Sequence, residues 1–142
     1  MIKINKVFLI DDEAVFNMIH NKIMQKLNFA EHTKTYLNAN EAIRDIKDAL
    51  ESHPDDLPDA IFIDINMPAM NGWEFLEALE KIANPLVSNC RVYLLSSSID
   101  SKDIEKSKSY KMLNGFISKP LSPQKLEIIG SQPHDNFSLM LH

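Results

Sequence analysis

The stretch Ala60-Ile61-Phe62-Ile63-Asp64-Ile65-Asn66-Met67-Pro68-Ala69-Met70-Asn71-Gly72 decides the reading of this chain. Four consecutive apolar residues, bounded by turn chemistry, have the pattern of a strand buried on both faces of a parallel sheet. Asp64 closes that run. Pro68 and Gly72 then keep the strand from continuing. A carboxylate at the end of a dry strand lies at the carboxyl edge of the sheet, where open α/β sheets place their sites. It is costly there unless something compensates its charge.

Working outward, strand-like runs alternate with helix-like segments. Strands are predicted at Val7 to Ile10, about Thr33 to Tyr36, Ala60 to Ile63, Val92 to Leu95 and Gly115 to Ile117. Val15, Ile19, Ile23 and Leu27 recur every fourth residue and predict a helix with that stripe as its apolar face. Ala39, Ala42, Ile43, Ile46 and Leu50 predict a second helix, with Asn38 as its cap and Glu41 three residues on. Phe75, Leu76, Leu79, Ile82 and Ala83 predict a third, ended by Asn84-Pro85. The segment from Asp100 to Tyr110 is far more polar and predicts a helix with a shallow, solvated attachment. Ser122-Pro123 predicts the cap and first turn of a last helix, with Leu126 and Ile129 inward and Gly130 stopping it. Residues 131–142 lack periodicity and are expected to form a poorly ordered tail after one domain spanning 1–130.

Five alternations of strand and helix imply an α/β fold with a parallel sheet and helices on both faces. In a flavodoxin-like, doubly wound five-stranded sheet of order 2-1-3-4-5, the first and third strand ends are neighbours. That brings Asp11 and Asp12 next to Asp64. Ser96, with Ser97 and Ser98, ends the fourth strand, and Lys119 follows the fifth and precedes Pro120. All lie at one sheet edge. Three close carboxylates repel one another and call for a counter-charge. Mg²⁺, a hard ion that takes oxygen ligands and keeps several waters, fits such a set. Lys119 adds a point charge for a phosphate oxygen, and the Ser96 hydroxyl can donate to another. An aspartate is a competent covalent acceptor of phosphoryl groups. The set reads as a site for phosphoryl transfer, in which positioning and charge neutralisation carry the chemistry.

These motifs resemble the receiver domain of two-component response regulators, along roughly Asn5 to Ile129. They are Leu9-Ile10-Asp11-Asp12-Glu13, Ile63-Asp64 through Asn71-Gly72, Leu94-Leu95-Ser96-Ser97-Ser98 and Asn114-Gly115-Phe116-Ile117-Ser118-Lys119-Pro120. The resemblance implies that Asp64 is the phosphoacceptor. It implies that Asp12 binds Mg²⁺ directly, Asp11 mainly through water, and the Asn66 backbone carbonyl as a third protein ligand. It makes Ser96 the switch hydroxyl, where the family more often has threonine, and Phe116 the switch aromatic. It implies a cis peptide between Lys119 and Pro120. The donor would be a histidine kinase or a histidine phosphotransfer protein. With no length for a DNA-binding or enzymatic output domain, the expected output is contact with a downstream protein, or onward relay.

Two other readings stand beside this one. A Mg²⁺-dependent phosphatase with an aspartyl nucleophile would resemble the haloacid dehalogenases, which carry that nucleophile on the first strand in an Asp-x-Asp pattern; here the first strand ends Asp11-Asp12-Glu13. A receiver-like interaction module that is never phosphorylated would need none of the acidic set.

Composition narrows the classes further. The 142 residues are 44% hydrophobic and 25% charged, with a net charge of −5, which disfavours nucleic acid as a partner. Cys90 is the only cysteine, so no intrachain disulfide forms and a reducing cytoplasm is the expected setting. Nothing approaches a membrane span, so no membrane partner is expected. His20, His32, His53, His134 and His142 have no ligand-like spacing and receive no metal or phosphoryl role.

Overall fold

The computed structural model describes residues 4–82, 84–132 and 139–141. In chain order the elements are β1 Lys6–Ile10, α1 Ala14–Lys26, β2 His32–Tyr36, α2 Ala39–Ser52, a 3₁₀ turn at Pro54–Asp56, β3 Ala60–Asp64 and α3 Gly72–Ile82. They continue with α4 Pro85–Ser88, β4 Arg91–Ser96, α5 Ser101–Ser107, β5 Leu113–Ser118, α6 Pro123–Ser131 and β6 Leu139–Leu141. Every strand pairing is parallel, in the order β2-β1-β3-β4-β5-β6. The doubly wound, flavodoxin-like arrangement is the expected one, with a sixth strand added beyond the five.

The two-residue period of the strands sorts their side chains between two cores. Phe8, Ile10, Ile61, Ile63, Val92, Leu94 and Phe116 face Ala42, Ile43 and Ile46 of α2 and Phe75, Leu76 and Leu79 of α3. Val7, Leu9, Ala60, Phe62, Tyr93, Leu95 and Ile117 face Met24 of α1 and Leu126 and Ile129 of α6. Every residue of β3 is buried, as its unbroken apolar run demands.

Helix ends follow their local chemistry. The Asn38 side chain accepts from the Glu41 N–H at 2.9 Å, and Asp100 accepts from the Asp103 N–H at 2.9 Å. Ser122 accepts from the Lys125 N–H at 3.2 Å, with Pro123 opening α6. Helix α5 buries only Ser107, in keeping with its polar sequence.

Two expectations need correction. The stripe on α1 is not its inward face. Val15, Ile19 and Leu27 are 58%, 37% and 43% exposed, while Asn17, His20 and Met24 are buried. The helix turns polar side chains inward because neighbouring loops offer them hydrogen bonds. Asn84-Pro85 follows the end of α3 at Ile82 as expected, and Asn84 in addition accepts from the Leu86 N–H at 2.8 Å and caps the short α4. Gly130 does not stop α6, which runs on to Ser131. In the segment expected to be a loose tail, residues 139–141 pair with Gly115, Phe116 and Ile117; residues 133–138 and 142, and Ala83 of the third stripe, lie outside the described residues.

Candidate functional site

The site is assembled at the carboxyl ends of β1, β3, β4 and β5. Registers Ile10↔Ile63, Asp64↔Leu95 and Ser96↔Ser118 align these ends. One residue past β1, the Asp11 N–H donates to the Tyr36 carbonyl at 3.1 Å. Asn17 of α1 donates to the Asp11 carbonyl at 3.1 Å and to the Tyr36 carbonyl at 2.9 Å. The first loop is thereby stitched to both its neighbouring strand and the helix it enters.

Beyond β3 the chain must leave the sheet sharply. The Ile65 N–H donates to the Leu95 carbonyl at 2.8 Å, and the Gly72 N–H to the Ile65 carbonyl at 3.1 Å. Ala69 is left-handed at φ 65, and the Met70 N–H closes a tight turn on the Pro68 carbonyl at 2.8 Å. A Cβ on Gly72 would lie 2.8 Å from Leu94 Cδ2, 3.0 Å from Ile65 Cα and 3.2 Å from the Asp64 carbonyl oxygen. Only glycine lets α3 begin this close to the end of β3.

Asp11, Asp12 and Asp64 each present an oxygen, all within 4.8 Å of one another. Asp11 and Asp64 are buried and Asp12 is exposed, so the cluster opens to solvent on one side. Lys119 Nζ lies 3.0 Å from Asp11 Oδ2 and 3.3 Å from Asp64 Oδ1, and all three side chains are almost wholly buried. Burial pushes the Asp64 carboxyl above the usual carboxylate range; Lys119 opposes this, Asp11 adds to it, and the Asn66 backbone hydrogen bond opposes it. Burial alone would lower the Lys119 ammonium, but the hydrogen bonds and charges of Asp11 and Asp64 outweigh it, and the net shift is upward. One ammonium among three carboxylates leaves an excess of negative charge at hard oxygen donors. That donor set fits a hard divalent cation.

The other expected residues lie around this cluster. Asn66, two residues past Asp64, is exposed. Ser96 is the only buried member of the three serines. Its hydroxyl donates to the Ser98 carbonyl at 2.5 Å, and its carbonyl accepts from the Lys119 N–H at 2.8 Å. Phe116 is fully buried and meets Trp73 edge-on at 6.0 Å between ring centroids. The Lys119-Pro120 peptide is cis.

Three residues of α1 to which the sequence motifs assign no role belong to this neighbourhood. Besides Asn17, they are Phe16, whose ring centroid lies 4.0 Å from Lys119 Nζ, and His20, whose Nε2 accepts from the Leu121 N–H at 3.1 Å. Their signal was faint but present: Phe16, Asn17, His20 and Met24 recur at helical spacing on a face that adjoins and partly overlaps the apolar stripe.

Comparison with known proteins agrees with this geometry. The family model of the response regulator receiver domain matches residues 7–129. A two component response regulator from Cytophaga hutchinsonii is 31% identical, with a TM-score of 0.81 over 89% of this chain and 94% of that one. A response regulator receiver protein from Dyadobacter fermentans is 28% identical, with a TM-score of 0.72 over 87% of this chain and 94% of that one. A chemotaxis protein of Vibrio cholerae, 22% identical over 88% of this chain and 94% of that one, shares the fold with a TM-score of 0.67. No curated protein matches. A matched segment that begins at the second residue of β1 and runs into α6, on a sheet whose carboxyl edge gathers the acidic cluster and Lys119, makes this chain a member of the response regulator receiver domain family.

Proposed function

We propose that the chain is a phosphorylation-controlled switch in which Asp64 accepts a phosphoryl group from a phosphohistidine of a sensor kinase or phosphotransfer protein. The observation that carries this reading is the convergence of Asp11, Asp12 and Asp64 within 4.8 Å, with Lys119 bridging two of them. An Asp64 carboxylate oxygen attacks phosphorus in line; the P–N bond breaks and its electron pair leaves on the donor imidazole. Lys119, held between Asp11 and Asp64, is placed to neutralise charge on a phosphoryl oxygen. Asp11, Asp12, Asp64 and the Asn66 carbonyl are the residues that would hold Mg²⁺, which when bound adds charge neutralisation at the transferring group.

Ser96 is the candidate switch hydroxyl. Its donor bond to Ser98 is local, and donation to a phosphoryl oxygen would require it to turn away. Phe116, packed against Trp73, is the candidate aromatic that would follow. Trp73 in turn stacks on Tyr110 at 5.3 Å, and Tyr110 donates to Glu77 at 3.1 Å. A shift at Phe116 thus has a contiguous route through Trp73 and Tyr110 to the surface around α3 and α5, where a downstream protein would read it. No helix among the described residues is long and apolar enough to cross a membrane, and we place the switch in the cytoplasm with its donor.

The test is incubation with acetyl phosphate and Mg²⁺, read by intact mass. Wild type should gain one phosphoryl group, and Asp64→Asn or added chelator should abolish the gain. A wild-type protein that is folded yet gains nothing, or an adduct that survives Asp64→Asn, overturns the assignment.

A further inference from the structure

His20 is 1% exposed on the inner face of α1 and has no part in the chemistry above. Its Nε2 accepts the Leu121 N–H, a bond made across 101 residues of chain. Accepting there requires an imidazole protonated on Nδ1 only. Burial, then the charges of Lys119 and Lys125, lower its pKa to about 4, so the acceptor persists at neutral pH. Leu121 lies two residues beyond Lys119. From the other side Lys125 of α6 donates to the Ser118 carbonyl at 2.7 Å, the Ser118 hydroxyl at 3.0 Å and the Pro120 carbonyl at 3.1 Å. One turn before His20, the Phe16 ring faces the Lys119 ammonium, and the Phe16 and His20 rings are 5.8 Å apart. The segment carrying Lys119 is therefore gripped by α1 on one side and α6 on the other.

We propose that His20 is a positioning residue for Lys119. Its bond to Leu121 fixes the loop after β5 so that the ammonium meets Asp11, Asp64 and the face of Phe16 together. Asn17 does the corresponding work for Asp11, so the inner face of α1 sets the spacing of the two loops whose side chains meet at 3.0 Å. Loss of the imidazole acceptor leaves the buried Leu121 N–H unpaired and frees the loop to shift, and displacements near 1 Å can slow a positioned reaction by up to about 100-fold. This inference rests on the phosphoryl-transfer reading of the site.

Three measurements on the full chain test it: the rate of phosphorylation by acetyl phosphate, Mg²⁺ affinity by calorimetry, and acylation of the Lys119 amine by peptide mass spectrometry in the absence of phosphodonor. For His20→Leu we expect phosphorylation slowed about tenfold, Mg²⁺ affinity held within about twofold, and Lys119 acylation faster than in wild type. His20→Gln, which restores an acceptor at similar reach, should recover most of the rate. The proposal is overturned if a folded His20→Leu matches wild type in rate and acylation, if Mg²⁺ affinity and rate fall in equal proportion, or if His20→Gln is no better than His20→Leu. Should His20→Leu not fold, Phe16→Leu at its half-buried position carries the test: faster Lys119 acylation supports the grip, and unchanged acylation overturns it. Failure of wild type to take up phosphoryl would strike the functional reading, whereas the acylation result bears on the positioning of Lys119 alone.

Discussion

Asp64 and His20 show how burial moves the pKa of an acid and of a base in opposite directions, with Lys119 acting on both. Both are driven by burial toward their neutral forms, which for an acid means a raised pKa and for a base a lowered one. Their contributions to stability therefore run in opposite directions with pH. Folded His20 titrates near pH 4 against an ordinary value of 6.5. Between these values the unfolded chain binds a proton that the folded chain refuses, so this contribution is present above pH 6.5 and is lost as pH falls toward 4. Asp64 binds its proton more readily folded than unfolded, so its contribution weakens as pH rises through the carboxylate range. A His20→Gln variant isolates the first effect. Between pH 7 and pH 5 the unfolding free energy from urea titration should fall for wild type by about 2 kcal/mol more than for His20→Gln, because only wild type loses the neutral imidazole's share. An equal fall in both would place the imidazole's titration elsewhere.

Among the elements, the junction from β3 to α3 carries the tightest steric demand. Gly72 has an ordinary φ, so its role is space and not conformational freedom. Two of the three atoms a Cβ would crowd are backbone atoms of Asp64 and Ile65, which cannot give way without moving the acidic cluster. Gly72→Ala should thus cost about 1–3 kcal/mol in urea denaturation, even though alanine is the better helix former. It should also slow uptake from acetyl phosphate, because the displaced atoms carry Asp64. Helix α1 teaches a complementary point. Its exposed Val15, Ile19 and Leu27 match the period of a buried face as well as a truly buried stripe does. Asn17 and His20 take the inward positions instead, because the Asp11 and Tyr36 carbonyls and the Leu121 N–H await them there.

At the scale of the whole molecule, the sheet ends differently at its two edges. Strand β2 closes one edge with His32, Thr33, Lys34 and Thr35, polar residues that discourage pairing with another chain. At the other edge β6 continues the ladder beside β5, with Met140 packed against the core that holds Phe116 and Leu141 against the core that holds Ile117. Removing residues 139–142 should lower stability by about 2 kcal/mol, the worth of two partly buried apolar side chains, read as a lower urea midpoint. An unchanged midpoint would mean that β6 adds nothing to the fold in solution.

Much of this molecule was legible in its sequence because parallel strands buried on both faces must be continuous apolar runs, and because charges cannot interrupt them except at their ends. That logic placed Asp11, Asp12, Asp64, Ser96 and Lys119 at one edge and dictated the alternating architecture. Capping residues such as Asn38 and Ser122 were equally readable, since their hydrogen bonds close within three residues. Three things only the tertiary structure decided: which face of α1 turns inward, which of three serines is buried at the end of β4, and that residues 139–141 join the sheet. Each depends on partners distant in the chain, as the bond from Leu121 to His20 across 101 residues illustrates. Local periodicity records how apolar a face is, whereas burial is settled by what the rest of the fold brings to meet it.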